Sequence, residues 1–423
     1  MAENIFPYEL PDNWHWSTLG NVAKIFTGNS INEKIKHEKY FGKTDGFVYI
    51  ATKDVGFDNV INYDTNIKIP ESENFKVAPK CTTLLCIEGG SAGKKIGFTN
   101  QPVCFVNKLC AFVSDDIYSK LIYFFMQTAF FLNQFNAKKH GLIGGVSIKN
   151  LAEIFIPLPP LDEQKRIVAI IESLFSKLDA AKSIVQKILD GYELRRAAIL
   201  HKAFTGELTN KKPPIVPISE ILEKIFIGPF GTMLHKEEYI SGGIPVINPK
   251  HISNQKIFPQ TTVTISSEKA KMLSSYRLME NDIIMGRRGE MGRTAPVTEK
   301  EVGWICGTGS LVLRSPKTIL AKFYSQILAS QFCIQYLENV SVGSTMKNLN
   351  ERVIRNMPVP FFKLDEQKEI VRVLDSLLDK EQRTKEIAEK ILSEIDLLKR
   401  TILARAFRGE LGTNNPSEKL EGL

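Results

Sequence analysis

Leu161-Asp162-Glu163-Gln164-Lys165 opens a stretch that closes at Ala203-Phe204-Thr205-Gly206-Glu207-Leu208, and the chain then writes it again. The second copy opens at Leu364-Asp365-Glu366-Gln367-Lys368 and closes at Ala406-Phe407-Arg408-Gly409-Glu410-Leu411. One constant offset aligns the two without a gap, and about half the positions are identical. A repeat of this kind sets the architecture, so it is read first.

Each copy reads as one long helix. In the first, Ile167, Ile171, Leu174, Leu178, Ala181, Val185, Ile188 and Tyr192 recur by fours and threes, the spacing of a coiled-coil seam. In the second, Ile370, Leu374, Leu377, Ala388, Ile391, Ile395, Leu398 and Ile402 continue the same register, with polar Glu381 and Thr384 at two seam positions. Those two predict a middle that is loosely packed or meets something polar. Pro157, Pro159 and Pro160 upstream, then Asp162 and Glu163, mark the first start; Pro358, Pro360, Asp365 and Glu366 mark the second. Gly206 and Gly409 stand where a left-handed C-terminal residue is wanted. At about 1.5 Å per residue, each helix is roughly 60 Å long. A plain dimerising coiled coil would fit such helices. Their separation by a domain-sized segment suits pairing within one chain.

Around the helices the rest of the chain is also duplicated, with far weaker identity. Ile25-Phe26-Thr27-Gly28 answers Ile225-Phe226-Ile227-Gly228, and Gly90-Ser91-Ala92-Gly93-Lys94 answers Gly289-Glu290-Met291-Gly292-Arg293. Ile148-Lys149-Asn150-Leu151 answers Met346-Lys347-Asn348-Leu349, and Pro157-Leu158-Pro159 answers Pro358-Val359-Pro360. Short apolar runs such as Phe47–Ile50, Thr83–Ile87 and Val103–Val106 read as strands; Ile117 to Phe135 reads as a helix whose aromatic residues belong to a core. Glu9-Leu10-Pro11 echoes Glu207-Leu208-Thr209, so the N-terminus imitates a helix exit. The boundaries expected are a first globular domain over 1–160, a helix over 161–208, a second domain over 209–363, a helix over 364–411, and a flexible tail over 412–423.

Composition narrows the class. The 423 residues are 43% hydrophobic and 24% charged, with formal net charge +8. That is ordinary for a globular protein with two or three cores. No apolar run reaches membrane-spanning length, and Met1-Ala2-Glu3-Asn4 is no signal peptide, so a reduced, cytoplasmic protein without membrane contact is expected. Six scattered cysteines form no close pair, and six histidines give no metal-ligand spacing. Glu88-Gly89-Gly90-Ser91-Ala92-Gly93-Lys94-Lys95 fails as a phosphate loop, because Glu88 replaces the first glycine and Lys95 the magnesium-binding hydroxyl. No Asn-Pro-Pro-Tyr or Asp-Pro-Pro-Tyr tetrapeptide of an amino-methyltransferase occurs. These failures together predict a chain that is not an enzyme.

The positive signal is a pair of glycine-basic turns. Arg287, Arg288 and Arg293 share a loop after a predicted strand, where guanidinium groups can pair with guanine or clamp phosphate. The matching loop offers Lys94 and Lys95, which suit phosphate as point charges. Lys138, Lys139 and Lys347 follow the predicted helices as a second candidate strip. Each of these also fits a solvated turn. No arginine precedes Arg166, so the two halves carry different cations.

The paired entries Pro-Leu-Pro-Pro-Leu-Asp-Glu-Gln (157–164) and Pro-Val-Pro-Phe-Phe-Lys-Leu-Asp-Glu-Gln (358–367), with the Ala-Phe-x-Gly-Glu-Leu exits, resemble the specificity subunit of Type I restriction–modification systems across the whole chain. The resemblance implies an α+β protein: two mixed α/β target-recognition domains in pseudo-two-fold tandem, separated by two long antiparallel coiled-coil helices. It implies that each domain reads half of a split, asymmetric site in double-stranded DNA. Two methylation subunits would dock on the helices and carry S-adenosylmethionine, and a restriction subunit would use ATP; this chain itself would bind no cofactor. DNA rises about 34 Å per turn, so a roughly 60 Å strut suits half-sites about one turn apart. Adding one heptad to both helices is then expected to change the preferred spacer only; a methylation map with altered half-site bases would refute this. The competing expectation is a coiled-coil scaffold whose globular domains bind proteins.

Overall fold

The structure, a computed structural model, describes residues 6–114, 118–141, 144–340 and 349–411. The expected tail over 412–423 and the candidate Lys347 lie outside the described residues. The chain divides into two compact units, Met1–Gln186 with Lys390–Leu423, and Lys187–Glu389. Each unit therefore takes a globular part together with a portion of both long helices, a grouping that cuts across the segment boundaries read from sequence.

In the first unit, strands Lys24–Thr27, Leu109–Val113, Thr83–Cys86 and Ile96–Phe98 form an antiparallel sheet in that order. A second sheet runs Lys68–Ile69, Phe47–Ile50, Val103–Phe105, Val77–Ala78, with its two central strands parallel. Helices Ser119–Phe125 and Ala129–Ala137 cover the first sheet. The sequence predicts one helix here. Thr128 splits it, because its hydroxyl donates to Phe125 O and accepts from Phe131 N, ending one helix and capping the next. Phe112, Phe125, Phe131 and Phe135 are fully buried, as the aromatic density suggests.

The second unit repeats the plan. Lys224–Ile227, Ser310–Arg314, Ile283–Gly286 and Thr294–Pro296 form the antiparallel sheet, and Ile244–Ile247 lies between Thr264–Ile265 and, in parallel, Ile305–Cys306. Helices Ala321–Leu328 and Gln331–Val340 follow. Two equivalences read from sequence shift. Ser147 caps Ile148–Ala152 and Asn350 caps Glu351–Arg355, so Leu151 answers Ile354 rather than Leu349. Ladder pairing likewise sets Pro157 against Pro360, since Trp16 faces the one and Ile215 the other.

The repeat stretches are helical: Leu161–Asp190, Tyr192–Phe204 and Leu364–Ala406. Gly191 divides the first copy only lightly, since Gly191 N still bonds Lys187 O and Arg195 N bonds Gly191 O. Gly206 and Gly409 adopt φ of +83° and +74°, the left-handed exits expected. Within each unit the two copies run antiparallel. In the first, Lys182 pairs with Asp396 and Lys399 with Asp179; in the second, Arg195 pairs with Glu381 and Tyr192 Oη donates to Gln382 Oε1. The polar seam position Glu381 thus meets Arg195, and Lys385 Nζ lies 4.8 Å over the Tyr192 ring.

Ile167, Ile171, Ile370 and Leu374 are fully buried and Val185 and Ile395 nearly so, each such side chain worth roughly 1.5–3 kcal/mol of burial. Leu174, Leu178 and Leu377 are half-buried. Three expected apolar seam residues are exposed, Ile188 and Ile391 at 36% and Leu398 at 49%, and so is the polar seam residue Thr384. The inward positions are instead Leu189, Leu392 and Lys399. Lys399 holds its place because its stem packs inward while its ammonium sits 4.9 Å over Phe175 and reaches Asp179. A reading that assigns the seam by apolarity alone passes over that lysine.

The Asp-Glu-Gln entries have a mechanical role. Gln164 Oε1 accepts from Tyr118 N at 2.9 Å while its amide donates to Pro159 O. Gln367 Oε1 accepts from Leu320 N at 2.7 Å, and its amide donates to Phe362 O and Thr318 O. Both glutamines are buried, and each ties a helix start to the segment leading into its own globular helices. Gln367→Leu keeps the volume and strands Leu320 N, so it is expected to cost about 1–3 kcal/mol. Chemical denaturation checks this; an unchanged midpoint would remove the clasp from the account.

Candidate nucleic-acid interface

Both glycine-basic turns sit at the same place in their sheets. In the second unit the turn joins Ile283–Gly286 to Thr294–Pro296, and Gly286 N closes it on Arg293 O. In the first, Cys86 N bonds Lys95 O across a longer loop between Thr83–Cys86 and Ile96–Phe98. Ladder register therefore matches Arg293 to Lys95, one place on from the Lys94 that sequence alignment picks.

Each turn is pressed on a helix through a glycine. Gly93 and Gly292 both have φ +78°. A Cβ on Gly93 would lie 2.8 Å from the Phe135 ring, and one on Gly292 would lie 2.6 Å from Ile334. Any larger residue would need both a strained backbone and a displaced helix. Seating the first turn on Phe135 gathers the lysine candidates. Lys139 Nζ stands 5.3 Å from that same ring, Lys138 O accepts from Asn150 Nδ2, and Val146 N bonds Ile87 O beside the loop. Lys94, Lys95, Lys138 and Lys139, far apart in sequence, thus share one neighbourhood.

Their ammonium groups are not equivalent. Lys94 is exposed and makes no ion pair among the described residues. Lys95 Nζ donates to Thr52 O at 3.1 Å and lies 5.0 Å over the Phe57 ring. Lys138 pairs with Glu153 at 2.9 Å, and its hydrogen bond, then its charge, hold that carboxyl below the usual range.

The arginines divide the same way. Arg287 is half-buried, its N bonded to Gly309 O and its O to Leu349 N, so its backbone is pinned on both sides. Burial, and then the charge of Arg288, lower its pKa from the ordinary guanidinium value. Arg288 is exposed, with no ion pair among the described residues. Arg293 donates from Nε and Nη2 to Glu290 at 2.9 and 2.6 Å, and from Nη1 to Pro249 O. The geometry thus singles out Lys94 in one unit and Arg288 in the other as cations presented outward, with Arg287 half-buried beside Arg288. Arg293, Lys95 and Lys138 are already engaged.

One element near the second turn escaped the sequence reading. Ile252–Ser253 and Lys256–Ile257 form a hairpin whose tip, Asn254-Gln255, has φ of +48° and +56°. Two successive left-handed residues make a primed turn. Without a glycine at the tip, the usual signature is missing, and nothing local announced it. Among the described residues no cluster of His, Cys, Asp or Glu suits a metal ion, and no helix is long and apolar enough to cross a membrane.

The Type I restriction modification DNA specificity domain matches this chain twice, over residues 11–189 and 215–393. The EcoBI specificity subunit of Escherichia coli is 26% identical, covering 95% of this chain and 87% of that protein. The MjaVIII specificity subunit of Methanocaldococcus jannaschii is 22% identical, covering 91% and 92%. In fold, the HsdS subunit from Thermoanaerobacter tengcongensis matches with TM-score 0.64 and 19% identity over 96% of this chain and 99% of that one. A chain from a study of complex assembly in the type I R-M system matches with TM-score 0.70 and 19% identity, covering 96% and 100%. With two tandem matches that coincide with the internal duplication, the chain belongs to the Type I restriction modification DNA specificity family.

Proposed function

We propose that this chain reads DNA for a Type I restriction–modification complex, each globular part contacting one half of a split, asymmetric site through its glycine-basic turn. The observation that carries this reading is the duplicated turn itself. Two copies of one loop, each seated on its own helix by a left-handed glycine, carry different cations: exposed Lys94 in one, exposed Arg288 with half-buried Arg287 before it in the other. Lysine suits phosphate, whereas arginine adds bidentate base pairing, so unlike half-sites follow from unlike side chains.

The reading extends to partners. The long helices leave Ile184, Leu194, Ile387 and Leu397 exposed at 59–76%, apolar surface of the kind another subunit covers. Two methylation subunits docking there would supply S-adenosylmethionine and the methylating residues. A restriction subunit would supply ATP-driven cleavage, and this chain would bind no cofactor and catalyse nothing. Such a subunit works in the cytoplasm, beside the DNA.

The test is the salt dependence of affinity for the target duplex, measured with the methylation subunits bound. Each phosphate neutralised contributes about −0.9 to the slope of log K against log salt. Lys94→Ala is expected to make the slope shallower by roughly that amount. A wild-type affinity indifferent to salt would favour the scaffold reading and end this one.

A further inference from the structure

The duplication lets one unit serve as a template for the other, and at one corner the two differ. In the first unit, Trp16, Phe130 and Phe407 face a corner that the N-terminal segment fills. Phe6 stacks on Trp16 at 4.5 Å, Tyr8 lies 5.4 Å from Trp16 and 5.8 Å from Phe130, and Tyr8 Oη donates to Phe407 O at 3.0 Å. Register identifies the counterparts. Trp16 faces Pro157 as Ile215 faces Pro360, and Leu19 N bonds Ile154 O as Ile218 N bonds Met357 O. Phe130 and Phe332 are each the second residue of matching helices, and Phe204, the last residue of its helix, answers Phe407, which stands just past the end of Leu364–Ala406.

In the second unit the same corner is an open cleft of about 760 Å³. Ile215 is 60% exposed and Phe332 56% exposed on its wall, where the equivalent Trp16 and Phe130 are covered by rings. Connectivity explains the difference. In the first unit, residues 6–14 lead into the corner strand and fold across the corner. The chain entering the second leaves the helix Tyr192–Phe204 through Gly206, and its linker lines the cleft with Lys212 and Pro213 while leaving Ile215 and Phe332 exposed.

We propose that this cleft docks an extended, aromatic and acidic segment of another protein chain, placed as residues 6–16 are placed in the first unit. The aromatic requirement comes from the template: a ring to cover Phe332 and Ile215, and a tyrosine hydroxyl for the carbonyl at the helix end. The acidic requirement comes from charge. The template segment carries Glu9 and Asp12 and no cation before His15. The cleft is lined by Arg196 and Lys212 against Glu193, while Arg293 and Glu290 in its wall are paired with each other, so the balance left for an occupant is positive. Because Arg293 and Glu290 belong to the second glycine-basic turn, an occupant would rest against the back of that turn.

The probe is a fluorescent synthetic peptide with the sequence of residues 6–16, titrated with the full chain and read by anisotropy. Saturable binding is expected, weakened at least tenfold by Phe332→Asp, and weakened likewise by Ile215→Trp, which fills the cleft from a surface position. A scrambled peptide should not bind. The proposal is overturned by no saturable binding, by equal binding of the scrambled peptide, or by binding that survives both substitutions with thermal midpoints unchanged. It is also overturned if light scattering shows concentration-dependent self-association that Phe332→Asp abolishes, since a second copy would then occupy the cleft.

Discussion

Alanine at Arg287 and Arg288 together is expected to relax one half of the recognised site and leave the other half as specific as before. A bidentate arginine–guanine pairing is worth about 1–3 kcal/mol of discrimination, so removing one lowers selectivity at its base pair by roughly 5- to 150-fold. These two guanidinium groups are the candidates because their loop is fixed: Gly286 N bonds Arg293 O, Arg287 N bonds Gly309 O, and Leu349 N bonds Arg287 O. Arg293→Ala alone should do less, as its guanidinium is taken by Glu290 and Pro249 O. The measurement is a single-molecule methylome of cells expressing the variant with its methylation subunit. Degenerate bases confined to one half are expected. If both halves keep their sequence, this turn is not the reader; if both degrade together, the variant has lost its fold or its DNA affinity as a whole.

The largest effect on stability is expected from Asp282→Ala. Asp282 is 1% exposed, and its carboxylate accepts from Arg314 Nε at 3.0 Å, Arg314 Nη2 at 2.9 Å and Met279 N at 2.8 Å. Arg314 also donates to Arg277 O and stacks 5.2 Å from the Phe226 ring, so it cannot move out into water without giving up both. Removing one member of a buried pair costs about 3–5 kcal/mol, because the other charge stays behind uncompensated. For a unit near 200 residues that corresponds to a fall in thermal midpoint of roughly 6–20 °C. The double variant Asp282→Ala/Arg314→Met should recover much of the loss, since replacing both partners removes the stranded charge. The first unit shows that the fold does not need the pair: ladder register puts Thr82 and Val113 at the matching positions. A midpoint that barely moves in Asp282→Ala would mean the pair is wet, and its geometry incidental.

The sequence alone determined the duplication, the two long helices, their left-handed glycine exits and the place of the glycine-basic turns. These are local or periodic properties, and each is written in contiguous residues: the fours and threes of Ile167, Ile171, Leu174 and Leu178, or the glycine that ends each helix. It also carried the family, because the Asp-Glu-Gln entries and Ala-Phe-x-Gly-Glu-Leu exits lie at the helix ends where buried glutamine clasps and capped turns tolerate little change. Only tertiary structure decided which residues of those patterns do what. Lys399 rather than Leu398 turns inward because Phe175 and Asp179, on the antiparallel partner, receive its ammonium. Lys94 and Arg288 stay outward while Lys138 and Arg293 are engaged, because Glu153 and Glu290 happen to reach the latter. The open corner beside Ile215 and Phe332 exists because the linker through Gly206 leaves those side chains exposed, whereas residues 6–16 fold across the matching corner of the first unit. Periodicity fixes elements; the pairing of charges and the filling of corners depend on which distant segments the fold brings together, and no window of sequence contains both partners.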